Sequence, residues 1–277
     1  MIKLSGFADE VSINFEEQLK FLSSIGMKYI EIRFVDGENI VNVSDEKLQL
    51  ICTMLREYKI EVSAIASPIG KIKIDEPFEP HLEKFKRAVE IAKTLDTKMI
   101  RVFSYYAPEG ENIDNYRDTV MERMATKAAK IAGTDIVMVH ENESHIFGHS
   151  AANCVDIMKT VNSANLSLAY DPANFVWGDD ITNNMEICFP LMNPYISHIH
   201  IKDWKLGSKD IGSLPGEGDG QIELLIKELA AMNYSGFVTM EPHINSGGQF
   251  GGSTTPEQFK NALANVKTFC DKYELMY

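Results

Sequence analysis

The chain has 277 residues, of which 44% are apolar, so it can bury the core of one large α/β domain or of two small ones. Its formal net charge of −13 provides no overall basic surface, which disfavours nucleic acid and anionic membranes as partners and leaves small metabolites and cations. Four widely spaced cysteines without a CxxC pair indicate reduced thiols rather than a disulfide framework or a zinc knuckle.

Targeting signals are not apparent in the sequence. The chain enters a strand-like run at Ile2 without a charged-then-apolar leader, and no apolar stretch reaches the roughly 18 residues of a membrane helix. We therefore expect a cytoplasmic protein without a membrane partner. Assembly into a homo-oligomer is compatible with the sequence.

Short β-branched or aromatic runs alternate with longer amphipathic runs along the whole chain. The predicted strands are 2–7, 29–34, 62–67, 99–104, 135–141, 166–171, 196–201 and 237–241. The predicted helices are 15–24, 45–58, 79–95, 116–132, 151–161, 184–191, 222–232 and 256–273. Ser44 and Thr255 are expected to cap two of these helices, and Gly26 and Gly133 to close two others.

Eight strand–helix units predict an α/β fold, a single (β/α)8 TIM barrel that forms one domain over residues 1–277. A doubly wound open sheet is the runner-up. It is disfavoured because no GxGxxG motif follows the first strand and because polar residues cluster at the ends of many strands.

Polar residues at the carboxyl ends of the strands would converge at one mouth of such a barrel. In chain order they include Asp9, Glu10, Glu31, Arg33, Ser67, Arg101, His140, Glu141, Asp171, Asn174, His200, Lys202, Glu241 and His243. If the faces that carry Glu141, Asp171, His200 and Glu241 point inwards, three carboxylates and one imidazole meet there. This set predicts a site for Mn²⁺, Mg²⁺ or Zn²⁺. His198, one layer deeper, is either a core histidine or a support for the site.

Five ordered motifs carry a family resemblance: HENE at 140–143, DPANF at 171–175, HIHIKD at 198–203, PGEGDG at 215–220 and MEP at 240–242. Together they resemble the sugar phosphate isomerase/epimerase superfamily, the xylose isomerase-like TIM barrels. That superfamily includes ketose 3-epimerases, hydroxypyruvate isomerase, inosose dehydratase and endonuclease IV. The resemblance spans essentially the whole chain. By similarity to the ketose 3-epimerases, Glu141, Asp171, His200 and Glu241 would be the metal ligands, and the two glutamates would be the catalytic acid–base pair.

Two positions depart from the epimerase pattern. Asn174 stands where the epimerases carry a histidine, and Leu206 stands where they carry an arginine that contacts substrate. Lys202 or Lys205 is a candidate replacement for that arginine. The PGEGDG segment is either a glycine-rich turn or a lid that faces the substrate. The predicted substrate contacts are Lys202, Asn174, His198 and Glu217.

The resemblance implies a divalent-metal-dependent isomerase or epimerase of a small sugar or sugar-like ketose. Two glutamates would transfer a proton through an enediolate that the metal stabilises. The main alternative is an inosose-type dehydratase. An endonuclease IV-like enzyme is disfavoured because Ser67, Phe103 and Asn174 leave its trinuclear zinc cluster incomplete. A non-catalytic sugar-binding barrel is disfavoured because binding alone needs no pair of glutamates.

The segment INSGGQFGGST at 244–254, after the last strand, is either a phosphate-binding loop or a lid. It contains no lysine or arginine. This favours a sugar or polyol without phosphate as the substrate.

Overall fold

Eight parallel strands form a nearly closed barrel in the computed structural model, which describes residues 1–247 and 251–277. The strands are β1 (Lys3–Gly6), β2 (Tyr29–Ile32), β3 (Glu61–Ile65), β4 (Met99–Val102), β5 (Val137–Glu141), β6 (Leu166–Tyr170), β7 (Ile196–Ile201) and β8 (Phe237–Met240). Hydrogen-bonded pairing runs from β1 to β8 and then back in order through β7 to β2. The described residues form no ladder between β1 and β2, which lie in contact at the seam. The predicted (β/α)8 TIM barrel is confirmed.

Helices connect the strands and cover the outside of the barrel. They are α1 (Phe15–Ser24), α2 (Asp45–Tyr58), α3 (Phe78–Thr94), α4 (Arg117–Lys130), α5 (Ala151–Val161), α6 (Pro172–Asp179), α7 (Asn184–Ile187), α8 (Phe189–Met192), α9 (Ile222–Ala231) and α10 (Pro256–Lys272). A short hairpin pairs Phe34–Val35 with Glu38–Asn39 after β2. Within residues 1–247 and 251–277, no helix combines the length and the apolar character that a bilayer span requires.

Local sequence explains where the longer helices begin and which face they bury. The Ser44 side chain accepts a hydrogen bond from the Lys47 backbone N–H at the start of α2. Thr255 and Gln258 form a reciprocal capping box at the start of α10, which also begins with a proline. The buried residues of α10 recur at helical spacing: Phe259, Ala262, Leu263, Val266 and Cys270. This stripe packs against the barrel and leaves the polar face in water.

Two helical regions differ from the prediction. The segment 184–191 is not one helix but two short ones, α7 and α8, because Pro190 has no backbone N–H to continue the hydrogen-bond ladder. Helix α6 was not predicted. Its first five residues, PANFV, are all buried, so it shows no amphipathic periodicity, and its clearest signal is the capping side chain of Asp171.

His81 of α3 anchors the loop that follows β3 and leads to the barrel mouth. Its Nε2 accepts a hydrogen bond of 2.8 Å from the backbone N–H of Gly70, which has a left-handed φ of +100°. Burial lowers the pKa of His81 to about 3, and the positive charges of Lys127, Lys84 and Arg123 act in the same direction. His81 is therefore neutral in the folded protein near pH 7.

The His81→Gln variant is expected to lose less stability in mild acid than the wild type. An unfolded histidine gains a proton near pH 6.5 but folded His81 does so only near pH 3, so the unfolded state binds more protons in this window. For the wild type, this linkage lowers the free energy of unfolding by about 2 kcal/mol between pH 7 and pH 5. Urea unfolding at pH 7 and at pH 5 measures this effect. Between the two pH values, the free energy of unfolding should fall less in the variant than in the wild type, by about the amount of this linkage.

The exposed His145 provides the matched control for this measurement. His145→Gln should keep the pH dependence of the wild type. Equal pH dependence in all three proteins would show that His81 does not titrate differently in the folded and unfolded states.

Candidate active site

Four buried side chains from consecutive strands meet at the mouth of the barrel. They are Glu141 at the end of β5, Asp171 after β6, His200 on β7 and Glu241 after β8. One potential ligand atom from each lies within 4.8 Å of the others. These are the residues that the sequence analysis expected to converge, and parallel strand ends bring them together although the chain separates them widely.

His200 is oriented by two carboxylates. Its Nδ1 lies 2.9 Å from Glu141 Oε1, and its Nε2 lies 3.3 Å from both carboxylate oxygens of Glu31. Nδ1 therefore faces the cluster, while Nε2 faces Glu31 on β2. If Nδ1 binds an ion, Nε2 carries the ring proton and donates a hydrogen bond to Glu31, which fixes the ring orientation and the tautomer. The sequence pattern identifies Glu31 only as a polar residue of its strand and does not predict this contact.

His198 lies behind this arrangement and is completely buried. Its Nε2 is 2.7 Å from Glu31 Oε2 and 3.3 Å from Thr239 Oγ1. It thus holds the carboxylate that orients His200. This explains why a buried strand carries two histidines on one face.

Glu241 is held by a basic partner on the other side of the cluster. Arg33 Nη1 donates a 2.7 Å hydrogen bond to Glu241 Oε1, and Arg33 Nε donates another of 2.7 Å to Asp9 Oδ2. His243 Nε2 lies 3.3 Å from Glu241 Oε1 and 3.3 Å from Glu10 Oε1. Oε1 of Glu241 therefore makes these contacts, and Oε2 points towards the cluster, 3.8 Å from His200 Nδ1.

The two carboxylate oxygens of Asp171 have different roles: one caps a helix and the other faces the cluster. Oδ1 accepts hydrogen bonds from the backbone N–H groups of Ala173 and Asn174 and so caps α6. Oδ2 lies 2.7 Å from the ammonium of Lys202, which is also 3.7 Å from Glu241 Oε2. Lys202 is buried and faces the cluster.

Neighbouring charges set the protonation of these groups. Burial opposes ionisation of Glu141, but His200 and Arg101 outweigh it and lower the pKa of Glu141 to about 2. The pKa of Glu241 is also well below its usual range, because Lys202 and His243 outweigh burial. Burial raises the pKa of Asp171 to about 6, although Lys202 acts in the opposite direction. Despite burial, Glu141 and Glu31 raise the pKa of His200, so ligation by His200 requires the loss of a proton.

The cluster fits a divalent cation. Glu241 Oε2 is buried and accepts no hydrogen bond from any described residue, and Asp171 Oδ2 has only the ion pair with Lys202. Two such oxygens beside a third carboxylate repel one another unless positive charge lies near them; the ammonium of Lys202, 2.7 and 3.7 Å away, supplies one charge, and a divalent cation would supply the rest. Three carboxylates and one imidazole form a donor set suited to Mn²⁺, Mg²⁺ or Zn²⁺.

Three of the four residues predicted to contact substrate lie elsewhere, and one of them, His198, is completely buried behind Glu31. Asn174 is buried, and its Nδ2 donates a hydrogen bond of 2.9 Å to the backbone carbonyl of Asn142. Glu217 is exposed in the PGEGDG loop. None of the three is part of the described wall of the cavity above the cluster.

The PGEGDG loop is organised around Asp203 of the preceding motif. The backbone N–H groups of Gly216, Gly218 and Gly220 donate hydrogen bonds of 2.8, 3.0 and 2.9 Å to its carboxylate. A side chain at position 218 has no room, because a Cβ there would lie 2.2 Å from Asp203 Oδ1. The glycines therefore serve loop packing.

A cavity of about 470 Å³, including its open mouth, lies above the cluster. The charged side chains in its wall are Arg33, Lys71, Arg101, Glu141, Glu143, Lys202 and Glu241. The sequence indicates that Arg33 and Arg101 are polar residues at two strands but does not indicate a role for either. The central part of the glycine-rich segment after β8, residues 248–250, lies outside the described residues.

Comparisons with known proteins agree with this architecture. The model of the family described as xylose isomerase-like TIM barrel matches residues 19–269. Among curated protein sequences, no match was found.

Solved structures with similar folds share little sequence with the chain. A D-tagatose 3-epimerase-like protein is 16% identical with a TM-score of 0.78, and the alignment covers 99% of this chain and 98% of that one. D-psicose 3-epimerase, solved in the presence of D-fructose, is 19% identical with a TM-score of 0.74, covering 99% and 100%. A xylose isomerase-like TIM barrel protein from Mycobacterium smegmatis, in complex with magnesium, is 15% identical with a TM-score of 0.73, covering 98% and 97%.

Proposed function

The chain belongs to the xylose isomerase-like TIM barrel family, and on that premise we propose that it is a divalent-metal-dependent isomerase or epimerase of a small ketose or ketose-like sugar. The observation that carries this proposal is the position of Glu141 and Glu241. Their carboxylates come from different sides of the barrel mouth, each has a ligand atom within 4.8 Å of the other's, and both line the cavity above the cluster. Binding alone would not require two ionised carboxylates at this point.

Glu141, Asp171, His200 and Glu241 would hold the ion. When bound, a divalent cation acts as a Lewis acid that stabilises negative charge on the oxygens of the substrate. Glu31 would contribute by keeping His200 in the tautomer that can coordinate, and His198 by holding Glu31.

The two glutamates would move the proton. One carboxylate removes the weakly acidic proton from the carbon next to the carbonyl, which leaves an enediolate. If the other glutamate returns a proton to the opposite face of the same carbon, the product is the epimer. If a proton is delivered to the neighbouring carbon, the product is the isomer. Because their basic neighbours keep both glutamates ionised, either can accept the first proton.

Lys202 would steady an oxygen of the substrate close to these carboxylates. Replacing it by methionine is expected to lower kcat/KM by about 100-fold, the order of magnitude of a lost charged hydrogen-bond donor. The same change should leave the affinity for Mn²⁺ unchanged or increase it, since a positive charge next to Asp171 is removed. Calorimetric titration with Mn²⁺ and steady-state kinetics measure the two effects separately.

Lys205 provides the control, because its side chain is 61% exposed and pairs with Asp219 at the surface. Lys205→Met should behave like the wild type in both measurements. A tenfold loss of Mn²⁺ affinity in Lys202→Met would instead assign Lys202 to the support of the cluster.

A dehydratase that acts on an inosose-like ring is the second candidate, and Lys202 is the observation that favours it. A glutamate would remove the proton, and the ammonium of Lys202, whose pKa is raised by Asp171 and Glu241 despite burial, could protonate the departing hydroxyl group. The leaving group would then depart as water and a carbon–carbon double bond would form.

One experiment separates the two reactions. The metal-loaded protein is incubated in D₂O with ketoses and with 2-keto-inositol, and the products are followed by NMR. An isomerase or epimerase should give a new sugar of unchanged mass apart from deuterium, whereas a dehydratase should give an unsaturated product. If no substrate exchanges a carbon-bound proton or reacts, the proposal of enediolate chemistry is wrong.

A further inference from the structure

The cavity has two chemically different walls. The wall formed by the carboxyl ends of β5 to β8 carries the carboxylate and histidine cluster. Next to it, on the side of β2 to β4, Arg33, Arg101 and Lys71 line the cavity together. We name these three residues the cationic wall. In a chain with a net charge of −13, such a concentration of buried positive charge requires an explanation.

Aromatic rings lie beside the charges of the cationic wall, in addition to the carboxylates that pair with them, among which are Asp9 for Arg33 and Glu143 for Lys71. Arg33 Cζ lies 4.6 Å from the centroid of the Phe7 ring, and Arg101 Cζ lies 5.5 Å from the same ring. Arg101 is also 5.0 Å from the ring of Phe103, and Lys71 Nζ is 4.3 Å from that ring. Cation–π contacts stabilise the charges without using any N–H donor.

Donors of the cationic wall remain available to a ligand. Arg33 Nη2 and Arg101 Nε are buried and have no acceptor among the described residues. Both side chains are more than nine-tenths buried and face the cavity. An unsatisfied guanidinium N–H in such a place costs free energy, which an acceptor carried by a ligand can offset.

The ion pairs of this wall point to the same conclusion. Arg33 pairs with Glu241, and Arg101 Nη1 lies 3.3 Å from Glu141 Oε2. Both glutamates belong to the proposed metal site, where a bound cation would share their negative charge. Arg101 would then be under-neutralised, whereas Arg33 would keep its ion pair with Asp9, and an anionic ligand is the natural partner for the guanidinium donors that remain.

From this arrangement, and on the basis of the proposed function, we infer that the substrate is an anionic ketose whose acidic group binds to the cationic wall through Arg33 and Arg101. The group is an oxyanion, a carboxylate or a phosphate ester. Because the arginines contact the glutamates directly, it lies only a few carbon atoms from the reacting centre. The sequence-based expectation of an uncharged sugar rests on the glycine-rich loop, whereas Arg33 follows β2, Arg101 lies on β4 and Lys71 lies in the loop after β3.

Three ketoses that differ only at carbon 6 test this inference: D-fructose, D-fructuronate and D-fructose 6-phosphate. Assayed with Mn²⁺, at least one of the two anions should have a kcat/KM at least tenfold above that of D-fructose, and the preferred anion identifies the acidic group. In Arg101→Gln, the KM for the anion should rise, so that the values of kcat/KM for the anion and for D-fructose differ by no more than about twofold. Arg56→Gln changes an exposed arginine of α2 and should keep the preference of the wild type.

A binding measurement makes the inference independent of turnover. Calorimetric titration of the Mn²⁺-loaded protein with inorganic phosphate and with malonate should show binding of at least one anion, weakened at least tenfold in Arg101→Gln. If none of the three sugars reacts, the proposed function fails, and this titration still decides the inference. Anion binding that is absent, or equal in wild type and Arg101→Gln, overturns it, as does a wild type that turns over D-fructose as well as both anions.

Discussion

Glu241→Gln is expected to lower kcat by about three orders of magnitude, the upper range for loss of a positioned acid–base group, and excess Mn²⁺ should not restore it. The amide has nearly the shape of the carboxylate, and its oxygen can still accept the hydrogen bond from Arg33. What it lacks is the ability to take up a proton. The variant should therefore fold normally and fail in proton transfer.

His200→Ala provides the contrast, because His200 has no proposed role in proton transfer. Its loss should act mainly through metal affinity, and kcat should recover partly at high Mn²⁺. Glu223→Gln, at a half-exposed position of α9, is the matched control for the substitution itself. If added Mn²⁺ rescues the Glu241 and His200 variants to the same degree, Glu241 is a ligand and not a base.

Asp171→Asn is expected to weaken Mn²⁺ binding by at least tenfold, as measured by calorimetric titration. The change removes a charged ligand from a site whose attraction for the ion depends on its carboxylates. It should leave the fold intact, because asparagine caps helices as well as aspartate does and can keep the hydrogen bonds from Ala173 and Asn174. Glu141→Gln should have a similar effect on the ion.

Thermal unfolding of the metal-free proteins tests whether the substitution changes the stability of the fold instead of the metal site alone. Asp171→Asn should unfold close to the wild type, and Asp45→Asn, at an exposed position of α2, should bind Mn²⁺ as the wild type does. Unchanged metal content of Asp171→Asn and Glu141→Gln by elemental analysis would reject the four-residue site.

The His198–Glu31–His200 chain shows how the barrel supports its site. Each residue is completely buried, and each contacts the next through a ring nitrogen and a carboxylate. Burying such polar groups inside a barrel costs free energy unless they are paired. In this layer of the barrel interior, the side chains therefore orient His200 instead of forming an apolar core. Phe7 completes the layer with an edge contact to His200 at 5.3 Å between ring centroids.

Sequence alone determined the order of the elements and the residues that could meet. Strand-like runs and amphipathic helices have local signatures, because alternation and helical spacing reflect which face is buried. The same logic placed Glu141, Asp171, His200 and Glu241 at strand ends. It missed α6, whose buried first turns lack a polar face, and it joined α7 to α8 across Pro190.

Only the tertiary structure decided which polar residues became partners. Arg33 and Glu241 are 208 positions apart, and His198 and Glu31 are 167 apart, yet each pair is in direct contact. Periodicity indicates the face on which a side chain lies but not which strand will lie across from it. That depends on the closing of the barrel, where the tilt and stagger of all eight strands together set each distance at the mouth. The cationic wall and the orientation of His200 are consequences of this closure, and no local pattern encodes them.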